Sequence, residues 1–284
     1  MTFSIAAFDG SIDPPEWGVA VASKFLAVGS AVPWVRAGAG AIATQALANL
    51  AYGPDGLDLL ARGDSARDVV TALTEADEDR RHRQLGVVDS KGAVATYTGE
   101  ECLDWAGGVT GDGFCCQGNI LTGGDVVESM AEAFRSTEAE LATRLLSALR
   151  AGDEVGGDRR GKQSAALYVA REGGSYGGAI DRSVDLRVED HADPVPELER
   201  LFLLHRLLFP RPEDLDFLPA DEVADELRSL LRAGGYEPGG GAGYDSQLRD
   251  TLWGYVGREN LEERWSDEPK IERGILDHMR RELR

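Results

Sequence analysis

The sequence predicts an α+β protein in which a four-layer αββα sandwich, two sheets between two helical layers, occupies residues 1–191 and a small all-α unit closes the chain. Three observations carry this. Apolar residues recur at period two, then at helical spacing, then at period two, helical spacing and period two again. The elements come in groups and not in strict strand-helix alternation, which favours packed layers over parallel crossover units. After Asp190 the composition changes, with Pro194-Val195-Pro196 opening a leucine-rich stretch that Pro210, Pro212 and Pro219 follow.

The first strand is read at Thr2 to Phe8, stopped by Asp9-Gly10 and Asp13-Pro14-Pro15. Trp17 to Ser23 is nearly unbroken in its apolarity, as befits a strand covered on both faces. Strands at Ser30 to Arg36 and Gly40 to Gln45 follow, joined by the small residues Ala37 to Gly40. Helices are predicted at Gly56 to Ala61 and, behind a cap at Asp64 or Ser65, at Ala66 to Glu75. Gln84 to Val88 and Ala93 to Thr98 flank Asp89-Ser90-Lys91-Gly92 as a hairpin. Phe114 to Leu121 is a strand leading into two amphipathic helices, one with Val126, Val127, Met130 and Phe134 on a face, the next with Leu141, Leu145, Leu146 and Leu149. Strands at Ala165 to Ala170 and Ala179 to Val188 complete the sandwich. Residues 192–220 form a helical linker, and residues 221–284 a helical domain containing Asp221 to Arg232, Tyr244 to Tyr255 and Ile271 to Leu283.

Charge narrows the function. The chain has 50 acidic against 30 basic residues, a net charge of -20, and no local basic patch, so nucleic acid and anionic lipid are not expected partners. Only four of its basic residues are lysines, a balance that suits a high-salt, halophilic cytoplasm and equally an ordinary acidic protein. Three cysteines, with Cys115 and Cys116 adjacent, make a poor disulfide framework and point to a reducing compartment. The N-terminal residues lack the basic start of an export signal, and no uncharged apolar run reaches the roughly 20 residues of a membrane helix. A cytoplasmic location is expected.

Common catalytic motifs are absent from the sequence: there is no phosphate-binding glycine loop with Lys and Ser/Thr, no Gly-x-Ser-x-Gly elbow and no Cys-x-x-Cys. The histidines His82, His191, His205 and His278 are scattered, so neither a metal nor an organic cofactor is expected. Thr2 is the sharper candidate. If Met1 is removed, Thr2 carries a hydroxyl nucleophile and an α-amine that can take its proton. That amine has a reference pKa of about 7.7–8.0, close enough to neutrality to act as a base.

The blocks Thr2-Phe3-Ser4-Ile5, Gly18 to Phe25, Ala43-Thr44-Gln45 with Asn49 and Tyr52-Gly53, Arg83 to Asp89, Gln117-Gly118-Asn119 and Gly156 to Ala166 are similar to the domain-of-unknown-function 1028 family. Gly234-Gly235-Tyr236 and Glu259 to Arg264 resemble a peptidoglycan-binding-like segment. The first resemblance implies the N-terminal-nucleophile hydrolase fold, shared with proteasome β subunits. It implies Thr2 as nucleophile, Ser23 and Lys24 at the end of the second strand, Asn119 before the third helix, and Asp158 and Ser164 near the loop and strand that orient the terminal amine. Ala22-Ser23 stands where proteasome subunits carry an acid, so the positive charge that activates the nucleophile falls to Lys24 or to Arg36.

The chemistry so implied is hydrolysis of a C–N bond in a small amide, lactam or ureido compound, or a peptide, through an acyl-enzyme. Backbone N–H groups near Gly118-Asn119 or in the Gly38 to Gly40 turn would hold the oxyanion. The alternative is a catalytically inert sandwich that binds a ligand or forms oligomers; a homo-oligomer is expected in either case. Peptidoglycan is not an expected partner of the tail, for want of an export signal. Plain roles stand beside these: Gln117 and Asn119 as amides satisfying buried backbone, Asp158 with Arg159 and Arg160 as an ion-pair cluster, Ser164 as a cap, Arg36 paired with an acid, Cys115 and Cys116 in the core, and Arg80 to Arg83 as a solvated turn.

Overall fold

In the computed structural model, which describes residues 2–283, the chain is a mixed α/β protein with three sheets and eight α-helices among those residues. It divides into two compact units after Arg200.

The first unit contains β1 (Thr2–Asp9), β2 (Glu16–Ser23), β3 (Pro33–Arg36), β4 (Gly40–Gln45), α1 (Tyr52–Ala61), α2 (Ala66–Glu75), β5 (Gln84–Asp89), β6 (Val94–Thr98), β7 (Gly107–Gly111), β8 (Phe114–Asn119), α3 (Asp125–Ser136), α4 (Leu141–Glu154), β9 (Ser164–Arg171) and β10 (Arg182–Val188). The division after Arg200 falls inside α5 (Pro194–Leu208). One sheet runs β10-β9-β2-β1-β8-β7 and the other β3-β4-β5-β6, with every neighbouring pair antiparallel. Helices α3 and α4 pack on the six-stranded sheet and α1 and α2 on the four-stranded one, while β1, β2, β8 and β9 meet β3, β4 and β5 across the gap between the sheets.

Side-chain alternation fixes which residues enter that gap. On β1, Ala6 joins Val21, Val35, Ala41, Val88 and Cys115 in the apolar core between the sheets. On the opposite face of β4 and β5, Ile42, Leu85 and Val87 pack with Leu57, Leu60, Val69 and Leu73 of α1 and α2. Helix α2 begins at an Ser65 cap whose hydroxyl accepts from the Asp68 N–H at 3.3 Å.

Several elements differ from the sequence expectation for local reasons. Strand β7 is not foreshadowed, because Gly107, Gly108 and Gly111 mask its period. A Cβ at Gly111 would stand 2.2 Å from the Phe114 ring and one at Gly108 2.7 Å from the Cys116 carbonyl, so the glycines permit close pairing. Helix α1 starts four residues earlier than Gly56, with Gly53 lying flat against Trp34, where a Cβ would come within 2.1 Å of the indole. Strand β8 stops at Asn119 because Ile120 turns left-handed (φ 52°).

The second unit contains β11 (Phe217–Pro219), α6 (Ala220–Ala233), α7 (Ser246–Arg258), β12 (Lys270–Glu272) and α8 (Arg273–Glu282). Leu227, Leu231, Leu252, Tyr255, Ile275 and Met279 form its core. It is not all-α as expected, since β11 and β12 pair as a three-residue antiparallel ribbon. Asp245 caps α7, its carboxylate accepting from the Leu248 N–H at 2.8 Å. No helix among the described residues is long and apolar enough to cross a membrane.

Candidate functional site

The inter-sheet layer changes character along its length. At the Thr2 end of β1, the inward positions carry Thr2 and Ser4; on β4 the inward series Ala41, Ala43 ends in Gln45; on β5 it begins Gln84, Gly86; and on β8 it runs Cys115, Gln117, Asn119. These polar groups are buried and bonded to one another. Ser4 Oγ donates to Gln45 Oε1 at 2.8 Å and accepts from Gln117 Nε2 at 2.7 Å. Gln84 Oε1 accepts from Gln45 Nε2 at 2.8 Å and from Asn119 Nδ2 at 3.0 Å, while its own Nε2 donates to the Gly118 carbonyl at 2.8 Å. Most of these buried amide groups satisfy one another, which makes the seam stiff, but Gln117 Oε1 is buried without a hydrogen-bond partner.

Thr2 stands at the end of this seam. Its register pairs it with Asn119 on β8, and its Oγ1 lies 3.1 Å from Ser23 Oγ on β2. Gln45 Nε2 reaches the Thr2 carbonyl at 3.4 Å. Although only 5% exposed, Thr2 lines a cavity of about 480 Å³, together with Gln45 and Arg160. Its walls are apolar: Phe25, Val28 and Val32 on one side, Leu47 and Leu50 on the other.

Those walls are held from behind. Ser164, opposite Ser23 on β9, accepts from the Val28 N–H at 3.1 Å and donates to the Phe25 carbonyl at 2.5 Å, fixing the chain that leaves β2. Asp158 accepts from the Lys24 N–H at 2.7 Å and from the Arg160 N–H at 2.9 Å, and it grips the Arg160 guanidinium through Nη2 at 3.1 Å and Nε at 3.3 Å. On the other wall Arg83 donates to the Leu47 carbonyl and, through Nε at 3.0 Å, to Asp77, which also receives Tyr52 Oη at 2.9 Å and Asn49 Nδ2 at 3.2 Å. Burial alone would raise the Asp77 carboxyl, but hydrogen bonds from Arg83, Tyr52 and Asn49 outweigh it and hold the group well below the usual carboxylate range. Burial, reinforced by the bond to Asp77, pushes the Tyr52 hydroxyl well above its ordinary value.

Backbone strain gathers here too. Ala27, Ala46, Leu47 and Ile120 adopt left-handed conformations (φ 54°, 61°, 46° and 52°): Ala46-Leu47 and Ile120 follow directly on β4 and β8, and Ala27 lies four residues beyond the end of β2. Such residues cost on the order of 1–3 kcal/mol apiece and persist where the surroundings over-determine them.

Of the residues singled out in the sequence, Thr2, Ser23, Asn119, Asp158 and Ser164 converge on this end of the sheets, and Lys24 follows Ser23 directly. The Lys24 ammonium donates to the Lys162 carbonyl at 3.2 Å. Arg36 does not converge. It pairs with Gly40, five residues or about 16 Å along β4 from Gln45, and is bound to Asp58 at 2.9 Å. The Gly38 to Gly40 turn lies at that same remote end, which leaves Gly118-Asn119 as the nearer of the two backbone segments. Arg83, read as part of a solvated turn, is instead the anchor of the cavity wall. Sequence reasoning missed Gln45, Gln84 and Arg160 as site residues. The signal for the glutamines was present: an amide at the last or first inward position of otherwise apolar strands. Cys115 and Cys116 lie buried in the core, and no cluster of metal-ligating side chains occurs among the described residues.

Residues 2–198 match the model of a family of unknown function, DUF1028, and residues 207–279 match the family described as "Putative peptidoglycan binding domain". A crystal structure of a Silicibacter pomeroyi protein assigned to DUF1028 is similar to this chain at 33% identity and a TM-score of 0.66, covering 72% of this chain and 86% of its own. No curated protein matches it.

Proposed function

The chain belongs to the DUF1028 family of unknown function, and from that premise we propose that it is an N-terminal-nucleophile amidohydrolase that uses Thr2. The observation that carries this reading is the position of Thr2: its hydroxyl stands at the start of a central strand, beside a second hydroxyl at 3.1 Å, in the wall of a small apolar cavity. On this reading the two sheets with their flanking helices are a four-layer αββα sandwich of the N-terminal-nucleophile type.

The step begins with removal of Met1, which lies outside the described residues. Thr2 Oγ then attacks the carbonyl carbon of the amide while its proton passes to the Thr2 α-amine, directly or through the Ser23 hydroxyl. The C–N bond breaks as the amine leaves with that proton. Water attacks the ester so formed, the α-amine again taking the proton, and the acid departs. Arg160 on the cavity wall, with Lys24 behind it, supplies the positive charge that favours the oxyanion and lowers the nucleophile's proton affinity. Lys24 takes this role in preference to Arg36, which is too far away. The cavity's about 480 Å³ is the size of a small-molecule site, which favours a small amide, lactam or ureido compound over a peptide.

Two measurements test this. Intact mass of the native protein is expected to show loss of Met1. In a screen over amides, lactams and ureido acids, Thr2→Ala is expected to abolish the hydrolysis and Thr2→Ser to retain part of it. Activity that survives Thr2→Ala, or a native active protein that keeps Met1, overturns the proposal.

A further inference from the structure

The Thr2 cavity opens through an apolar rim that the chain keeps in contact with water. Phe25, Leu47 and Leu50 line the cavity and are 53%, 73% and 48% exposed, whereas Val28 and Val32 of the same lining are buried. Single exposed leucines are common on a protein surface. Several gathered around a concave, apolar space are the mark of a ligand groove.

Leu47 in particular is costly to keep where it is. It follows Ala46 (φ 61°) and is itself left-handed at φ 46°, a backbone conformation that a bulky side chain rarely adopts and that Asn or Gly would suit better. Exposure and backbone thus both argue against leucine at this position, yet the loop is pinned so as to present it. Arg83 donates to the Leu47 carbonyl, Thr44 Oγ1 to the Asn49 carbonyl at 3.1 Å, and Asn49 Nδ2 to Asp77 at 3.2 Å. Strain held in this way, by surroundings that over-determine it, gathers at ligand clamps. The opposite wall is fixed as well, by the bonds of Ser164 to the Phe25 carbonyl and the Val28 N–H. With both walls set beforehand, little ordering of the protein is left to oppose binding.

From this we infer that the ligand carries a short aliphatic group beside its amide, and that Leu47, with Phe25 and Leu50, selects for it. The group lies between Phe25 and Val28 on one wall and Leu47 and Leu50 on the other, and the amide carbonyl lies at Thr2. A cavity of about 480 Å³ has room for the amide and the chain together. Binding takes the ligand's own carbons out of water and also the exposed faces of Phe25, Leu47 and Leu50, so the driving force grows with chain length. A strongly hydrated group in place of the chain would lose its water among these side chains. The assignment of the carbonyl to Thr2 rests on the nucleophile reading; the aliphatic preference does not.

The test uses the full chain carrying Thr2→Ala, so that binding is read without turnover. Acetamide, butanamide and hexanamide, which differ only in chain length, are titrated by calorimetry. Affinity is expected to rise about two- to fourfold for each added methylene. Leu47→Asn, added to the same chain, is expected to weaken hexanamide about three- to tenfold and acetamide by less than about twofold. Its urea midpoint should equal or exceed that of the protein with Leu47, because Asn accepts the left-handed backbone more readily. Equal affinities across the series, failure of all three amides to bind, or a chain-length gain that survives Leu47→Asn overturns the inference. So does a loss of hexanamide affinity that comes with a lower urea midpoint, which would make Leu47 a structural residue. A change of oligomeric state on Leu47→Asn with ligand affinities unchanged also overturns it, and would assign the rim to a second copy of the chain. Should Leu47→Asn not fold, Leu50→Gln and the amide series on the protein that retains Leu47 still decide. A chain-length gain combined with no turnover by the protein that retains Thr2 would sink the hydrolase reading and leave this one standing.

Discussion

Replacing Asp77 by Asn is a direct probe of how the cavity wall is held. The Asp77 carboxylate takes three side-chain hydrogen bonds, from Arg83 Nε at 3.0 Å, Tyr52 Oη at 2.9 Å and Asn49 Nδ2 at 3.2 Å, as well as the Asp79 N–H at 2.9 Å. Asp77→Asn keeps the shape, removes the charge and puts an N–H₂ among donors. Breaking a fully buried ion pair costs about 3–5 kcal/mol. Here the side chains are 10% and 16% exposed, and Asp79 remains as a second partner for Arg83 at 3.3 Å, so a loss of about 2–3 kcal/mol is expected. The pH dependence has a definite sign. The folded carboxyl is held below its unfolded value of about 3.9, so the stability it contributes is complete above that pH and drains away as pH falls towards the folded pKa. Urea unfolding at a series of pH values from about 6 to about 3, on parent and variant, measures both effects. The parent should lose stability over the acid end of this range more steeply than the variant. A variant within about 0.5 kcal/mol of the parent, or one with the same acid slope, refutes the account. Because the Arg83 guanidinium also holds the Leu47 carbonyl, loosening it frees a left-handed pair, Ala46 and Leu47, from its strained state. Ligand binding in the Thr2 cavity should weaken with it.

Two further outcomes follow from packing and burial. Gly86→Ala places a methyl group 2.1 Å from Gln117 Oε1 in the polar seam, so the Gln117 amide must move and its bond to Ser4 be lost; unfolding free energy should fall by about 1–3 kcal/mol, and an unchanged value would show the seam to be soft. Burial pushes the Cys115 thiol up to about 12 and holds the Cys116 thiol well above its ordinary value. A thiol reagent at about pH 8 should therefore modify half-buried Cys102 and leave the other two until the protein is unfolded, with rapid labelling of all three as the contrary result.

The strands and helices that build the two sheets were legible because each depends on local periodicity. Gly40–Gln45 and Ala66–Glu75 occupy the residues their patterns indicate. Strand β7 was not legible, since a glycine-rich edge strand acquires its identity from the partner it lies against. Among site residues, Thr2 and its neighbours on β2, β8 and β9 were marked by strand ends and by resemblance. Arg36 shows the limit of that approach: two cations near strand ends look alike along the chain, yet an antiparallel sheet puts one end of a strand about 16 Å from the other.

The amino-acid order by itself determined the alternation of apolar positions, the caps and turns, the absence of common phosphate and thiol motifs, and the acidic surface, because each is settled by residues within a few places of one another. Tertiary structure alone decided that four polar strand ends meet in one buried seam, that Asp77 and Arg83 brace the loop beside Thr2, and that Arg160 faces the same cavity as that threonine. These groups lie up to 158 positions apart in the chain, and only the pairing of β1 with β2 and β8 and the closure of one sheet on the other bring them within reach.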